Sequence, residues 1–192
     1  MAHKNFGKKS WLQPMPVAII GTYNAQGVPN AMNAAWVGQW ESTQICISLG
    51  THATTENLER NAEFTVALAD KRNLVAADYV GIISAHKDAD KVGTCGWTVE
   101  KAEHVDAPVF TDFPITLECR IAERQGLTAP GGGCNLIADI VNVRCQEEFL
   151  DAEGNPDLDK MQLICYDSIG HTYRLLGAVA GHAFADGKQL KK

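Results

Sequence analysis

The chain has 192 residues, 45% of them hydrophobic, with 17 Lys and Arg against 23 Asp and Glu for a formal net charge of -6. That is enough apolar material for one sizeable core in a single domain spanning residues 1–192. An acidic chain without a basic tract repels a polyanion, so no nucleic-acid partner is expected, whereas a small phosphorylated ligand needs only a few well-placed donors. No apolar run approaches the roughly 20 residues that span a bilayer, and the segment after the basic Met1–Lys9 carries Pro14 and Pro16 where a signal peptide would be apolar. The expectation is a cytoplasmic protein with no membrane contact. Cys46, Cys95, Cys119, Cys134, Cys145 and Cys165 contain no C-x-x-C pair, and the histidines lack ligand spacing. Reduced thiols and no metal site follow.

In chain order, Val17–Tyr23 is short, apolar and β-rich, and Asn24-Ala25-Gln26-Gly27 suits a tight turn with a positive φ at Gly27. Pro29–Trp40 reads as one further strand segment. Gln44–Leu49 alternates, with Ile45, Ile47 and Leu49 on one face. Short links between these segments predict an antiparallel meander. Thr54–Asn61 carries helix-start and helix-stop signals: threonines first, Glu56 early, Arg60 late. Phe64–Ala69 predicts a strand and Asn73–Val80 a short helix. Pro114–Arg124 and Asn135–Val143 predict long strands joined by a flexible Gly131-Gly132-Gly133 connection, and Thr172–Leu176 a last strand. With no repeat and no linker, the reading is a mostly β fold, a single antiparallel barrel with a few helices.

Three stretches carry chemistry. Ser48-Leu49-Gly50-Thr51-His52-Ala53-Thr54-Thr55 runs from a strand through a hydroxyl-rich turn into a helix. A helix start offers unsatisfied N–H groups and partial positive charge, a natural phosphate site. The competing reading is that Thr54 or Thr55 caps its own helix. Pro29-Asn30-Ala31-Met32-Asn33-Ala34-Ala35-Trp36 offers amides and small side chains for a flat heteroaromatic ring; alternatively it is a twisted strand with Trp36 in the core. In Ser84–Lys91, Lys91 could neutralise an anion with Asp90 orienting it; alternatively the run is a solvated loop.

Taken in order, these stretches resemble the flavin reductase-like, FMN-binding split-barrel family, within it the flavoredoxin group. The resemblance also draws on Pro14-Met15-Pro16-Val17, Gly21-Thr22-Tyr23, Ala77-Asp78-Tyr79-Val80-Gly81-Ile82, Asp88-Ala89-Asp90-Lys91, Asp106-Ala107-Pro108, Phe113–Cys119, Leu150–Gly154 and Ala183-Phe184. It implies a split β-barrel with Greek-key-like antiparallel strands and peripheral helices, forming a homodimer with one FMN per subunit. Asn30, Met32, Asn33, Ala34, Ala35 and Trp36 would line the isoalloxazine. Ser48, Leu49, Thr51, Thr54 and Thr55 would hold the ribityl chain and phosphate, and Lys91 would lie close to the flavin. His52 stands where relatives often carry a basic residue, and Ala138 and Asp139 stand near where relatives tend to have a His. No side chain is needed as a catalytic acid or base, because flavin N5 carries the chemistry. The implied activity is an FMN-dependent oxidoreductase drawing electrons from NAD(P)H or a reduced protein. The alternatives are an FMN electron carrier without nicotinamide turnover and a flavin-free barrel.

Overall fold

The computed structural model of the protein describes residues 1–126 and 132–190. Strands β1 (Met15–Pro16), β2 (Ala18–Tyr23), β3 (Pro29–Ala34), β4 (Val37–Glu41) and β5 (Gln44–Leu49) lead into helix α1 (Ala53–Arg60) and strand β6 (Glu63–Leu68). Helices α2 (Leu74–Ile82) and α3 (Lys91–Thr94) follow, then β7 (Val99–Lys101), β8 (Pro108–Phe110), β9 (Ile115–Gly126) and β10 (Cys134–Cys145). Helix α4 (Leu158–Met161) and strands β11 (Ile164–Asp167) and β12 (Thr172–Leu175) complete the order. The principal sheet has seven strands in the order β3-β2-β6-β9-β10-β5-β4, every pairing antiparallel.

This order corrects the expected meander. The turn at Asn24–Gly27 joins β2 to β3 as predicted, with Gly27 at φ +75° and the Asn24 carboxamide oxygen accepting from the N–H groups of Gln26 and Val28. The Pro29–Trp40 segment, however, is two strands. It breaks at Ala35-Trp36, and its halves lie at opposite edges of the sheet. The backbone N–H of Ser48 donates to the Trp36 carbonyl at 2.9 Å and pins the break to β5. A curled sheet whose consecutive strands occupy its opposite edges is a split barrel.

Alternation explains why β2 reads as an unbroken apolar run. Ala18 and Ile20 enter the barrel core with Met32, Ile45, Ile47, Phe64, Val66 and Leu136. Val17 and Ile19 face the other way, into a second core under α2 and α3 with Ala31, Ala67, Ala77, Val80 and Phe110. A strand covered on both faces has no polar position to reveal its period. Buried carboxylates tie the loops down. Glu118, fully buried, accepts from the His104 backbone N–H at 2.7 Å and the Asn142 amide at 3.1 Å. Asp70, 1% exposed, accepts from Arg72 at 2.6 Å and twice from Asn73.

The glycine connection before β10 is not a loose link where it is described. Gly131 lies outside the described residues, but Gly133, at φ +115°, is so close to β5 that a Cβ there would stand 2.3 Å from the Leu49 carbonyl oxygen. The six cysteines are free, and burial pushes the Cys119 thiol in the barrel core up to about 12. Among the described residues no helix is long and apolar enough to cross a membrane.

Gly21 tests the packing between the barrel and β8. A Cβ there would fall 2.4 Å from Thr65 Oγ1 and 2.9 Å from the Pro108 carbonyl, and that hydroxyl already donates to that carbonyl at 2.6 Å. Gly21→Ala is expected to destabilise the fold by about 1–3 kcal/mol in urea melts; an unchanged midpoint would show that β8 yields freely.

Candidate functional site

Beside the Ala35-Trp36 break lies a cavity of about 430 Å³, within the roughly 300–1,000 Å³ of small-molecule sites. Strand β3 contributes Asn30, Met32, Asn33 and Ala34, the break adds Ala35 and Trp36, and the end of β5 adds Ser48 and Leu49. Gly50, His52, Ala53 and Thr54 close one end where α1 begins. The last turn of α2 and the loop after it, Val80 through Ala85, form a further wall, with Lys91 from α3. Every predicted site residue except Thr51 and Thr55 is brought together here.

The Thr54 and Thr55 hydroxyls do not cap α1. His52 occupies the N-cap position of α1 and its side chain makes no capping hydrogen bond. Thr54 Oγ1 instead accepts from Asn30 Nδ2 at 2.9 Å and lines the cavity. Thr55 faces the turn, where its hydroxyl donates to the Gly50 carbonyl at 2.6 Å. Thr51 is exposed on the same turn. The start of α1 closes this end of the cavity, where the helix dipole favours an anion. Glu56, the acid in that turn, is exposed and lies 3.2 Å from His86 Nε2, outside the cavity lining.

Trp36 is 53% exposed, so it is no core residue; it forms the lip of the cavity. Asn33 Nδ2 donates to the Ala77 carbonyl at 3.1 Å, which holds β3 against α2. Gly81 makes that approach possible, since a Cβ there would stand 3.1 Å from Asn33 Cβ.

Lys91 is not on a solvated loop and is not oriented by Asp90. It opens α3, is 3% exposed, and donates from Nζ to the carbonyls of Ile83 at 3.0 Å and Val80 at 3.3 Å. These are orphan carbonyls at the C-terminus of α2, a favourable place for a cation. Among the described residues no carboxylate pairs with it. An ammonium has three N–H groups, so one remains for a ligand. Desolvation pushes the Lys91 pKa below its usual value.

Asn30 is 5% exposed, and its buried Oδ1 has no hydrogen-bond partner among the described residues. Among the described residues there is no cluster of His, Cys, Asp or Glu able to hold a metal. Reading the residues alone missed the part of this wall from Val80 to Ile83, while Ser84 and Ala85 fall in the polar stretch already singled out. The Ala77–Ile82 stretch belongs to the resemblance, yet only Gly81, a glycine inside a helix, marks it as a place of close approach.

The sequence matches the flavin reductase like domain family over residues 12–166. No curated protein matches it. Among solved structures, the flavoredoxin of Desulfovibrio vulgaris (Miyazaki F) superposes with a TM-score of 0.89 at 29% identity, covering 97% of this chain and 100% of that one. The flavoredoxin from Methanosarcina acetivorans gives 0.86 at 27% identity, covering 98% and 100%. Component B of nitrilotriacetate monooxygenase from Bacillus cereus, at 18% identity, shares the fold with a TM-score of 0.80 over 95% and 98% of the two chains.

Because the folded state holds Lys91 with a depressed pKa, the charged form destabilises the fold below that value, and the penalty lifts as pH rises toward the ordinary lysine value. Relative to Lys91→Met, the unaltered protein without ligand should therefore gain stability between pH 7 and pH ~10.5, read as the difference in urea midpoints. A constant difference would show that Lys91 is solvated.

Proposed function

Because this chain belongs to the flavin reductase like domain family, we propose that it is a flavoprotein oxidoreductase that holds FMN in the cavity between β3, α1 and α2. The observation that carries this reading is a pair of buried groups lining one cavity: Asn30 Oδ1, which has no partner among the described residues, and the Lys91 ammonium, which has no carboxylate partner among them. Buried polar groups are normally satisfied, and these two call for a ligand that offers both negative charge and a hydrogen-bond donor. FMN has both. Small residues Ala34, Ala35 and Gly81 leave room for a ring, and the α1 start with Thr54 and His52 suits its phosphate.

In this reading Asn33, Ala34, Ala35 and Trp36 orient the ring, Ser48, Leu49 and Thr54 hold the chain that follows it, and Thr51 and Thr55 shape the phosphate turn from outside. When bound, FMN supplies a ring that takes up a hydride and passes electrons on singly or in pairs. Lys91 stabilises negative charge in the cavity, more strongly than it would in water because its surroundings are desolvated. NAD(P)H or a reduced protein would be the donor, from a solvent-accessible face beside Trp36. A carrier without nicotinamide turnover is the second reading. Ala138 is buried in the barrel core and Asp139 accepts from Gln44 Nε2 at 2.8 Å, so β10 brings no imidazole to the cavity.

We also propose a homodimer. An apolar groove of about 500 Å³ continues from the cavity along Leu12, Pro14, Trp40, Ile47 and Leu136, and Trp40 is 57% exposed in it. Exposed apolar area of this kind, next to a ligand site, fits a second copy.

The purified protein should turn yellow with FMN and stay so after desalting; a colourless protein refutes the proposal. Thr54→Val should weaken FMN binding by about tenfold or more, since a hydrogen bond to a charged group contributes roughly 1.5–3 kcal/mol, whereas Thr55→Val should chiefly lower the melting temperature. Anaerobic mixing with NADH or NADPH separates enzyme from carrier, because only the enzyme bleaches rapidly. Trp40→Glu should shift the protein toward monomer in sedimentation, and an unchanged mass would clear the groove of that role.

A further inference from the structure

The cavity wall that carries Asn30 rests on a chain of buried polar side chains that the proposed function leaves unused. Arg60, exposed in the last turn of α1, donates from Nη2 to Asn57 Oδ1 at 2.5 Å. Asn57 Nδ2 donates to Thr22 Oγ1 at 2.9 Å. Asn30 Nδ2 donates to Thr54 Oγ1 at 2.9 Å and, more weakly, to Thr22 Oγ1 at 3.4 Å. Thr22, Asn30, Thr54 and Asn57 are 2%, 5%, 1% and 4% exposed. The chain thus crosses from α1 through β2 to β3 without reaching water until Arg60.

Its direction is fixed from the outside as far as Thr22. A guanidinium only donates, so Arg60 takes the Asn57 carbonyl and turns the Asn57 N–H groups inward onto Thr22. Asn30 directs its own N–H groups to the threonine hydroxyls. What remains is Asn30 Oδ1, buried and without a partner among the described residues, on a residue that lines the cavity. An acceptor can be satisfied only by a donor. A phosphate oxygen does not serve; a hydroxyl does. Asn30 is tied to Thr54 in the first turn of α1, the end assigned to the phosphate, so the donor nearest to it belongs to the stretch of ligand between phosphate and ring.

We infer that Thr22 and Asn57 are positioning residues, which hold the Asn30 carboxamide so that its oxygen accepts a hydrogen bond from a hydroxyl of the ligand's polyol chain. This rests on the flavin reading and extends it to residues that touch no ligand. It makes the site selective for the polyol and leaves the ring imide to other groups.

The test uses the full chain and fluorescence titration with FMN and with lumiflavin, which keeps the ring and its imide but lacks the polyol and phosphate. Thr22→Val keeps the shape and removes the hydroxyl; Thr22→Ser keeps the hydroxyl and removes the methyl. Thr22→Val should weaken FMN by about tenfold, roughly the worth of one hydrogen bond, Thr22→Ser by no more than about threefold, and neither should alter lumiflavin binding. The inference is overturned if Thr22→Val binds FMN normally, if Thr22→Ser is as weak as Thr22→Val, or if lumiflavin weakens by the same factor as FMN. Should Thr22→Val fail to fold, Asn57→Asp keeps an acceptor for Arg60 but withdraws the N–H from Thr22, and the same contrast between the ligands is expected. If the unaltered protein binds no flavin at all, it is the flavin reading that falls, and this one with it.

Discussion

The structure depends on one break in one strand. At Ala35-Trp36 the chain leaves β3, at one edge of the curled sheet, and enters β4 at the other, held by the hydrogen bond from the Ser48 N–H to the Trp36 carbonyl. A fully closed barrel would exchange backbone hydrogen bonds across this seam and fill it. Here the seam stays open, with β3 on one side and the end of β5 on the other, and α1 and α2 bring their ends to it. The cavity exists because the sheet does not close, and its walls are strand edges and helix ends, the places where backbone polar groups lack internal partners.

The buried polar groups fall into two kinds, and the difference locates function. Glu118 and Asp70 carry charge in the interior, but each oxygen is matched by donors from the loop it anchors. They exchange water for protein at little net loss and fix loops to the barrel. Lys91 and Asn30 are held just as firmly but differ: among the described residues Lys91 makes two carbonyl contacts with no counter-ion, and the buried Asn30 Oδ1 has no partner. Burying a cation without a counter-ion, or a carbonyl oxygen without a donor, costs the fold stability. Both line the same cavity, so the cost falls where a ligand would offset it. Lys91 also shows how one side chain serves twice, closing the C-terminus of α2 and presenting charge to the site.

Local pattern located most of the elements. Gln44–Leu49 alternates because one face enters the barrel and the other does not, and the Asn24–Gly27 turn follows from a side chain that caps it and a glycine that tolerates positive φ. The short strands β7 and β8 left no trace, since three residues are too few to show a period and Ala102, Val105, Ala107 and Val109 form their own small cluster beneath them. The meander failed because adjacency along the chain was taken for adjacency in the sheet. Nothing in Ala34-Ala35-Trp36-Val37 records that β3 pairs with β2 alone and that β10, nearly a hundred residues later, pairs with β5.

For the site, residue chemistry raised the turn into α1, the small-residue stretch of β3 and Lys91 as candidates beside plainer readings, because helix starts, amides and isolated cations act through short-range groups that lie together in the chain; the family resemblance joined them into one site. Whether Thr54 caps its helix or lines the cavity, whether Trp36 is core or lip, and whether Lys91 is solvated or buried were decided only by packing. Each depends on which distant segment lies against the residue: β3 for Thr54, the open seam for Trp36, the end of α2 for Lys91. Burial and pairing are properties of neighbours, and a chain read in one dimension fixes the kinds of groups it carries but not which of them will meet.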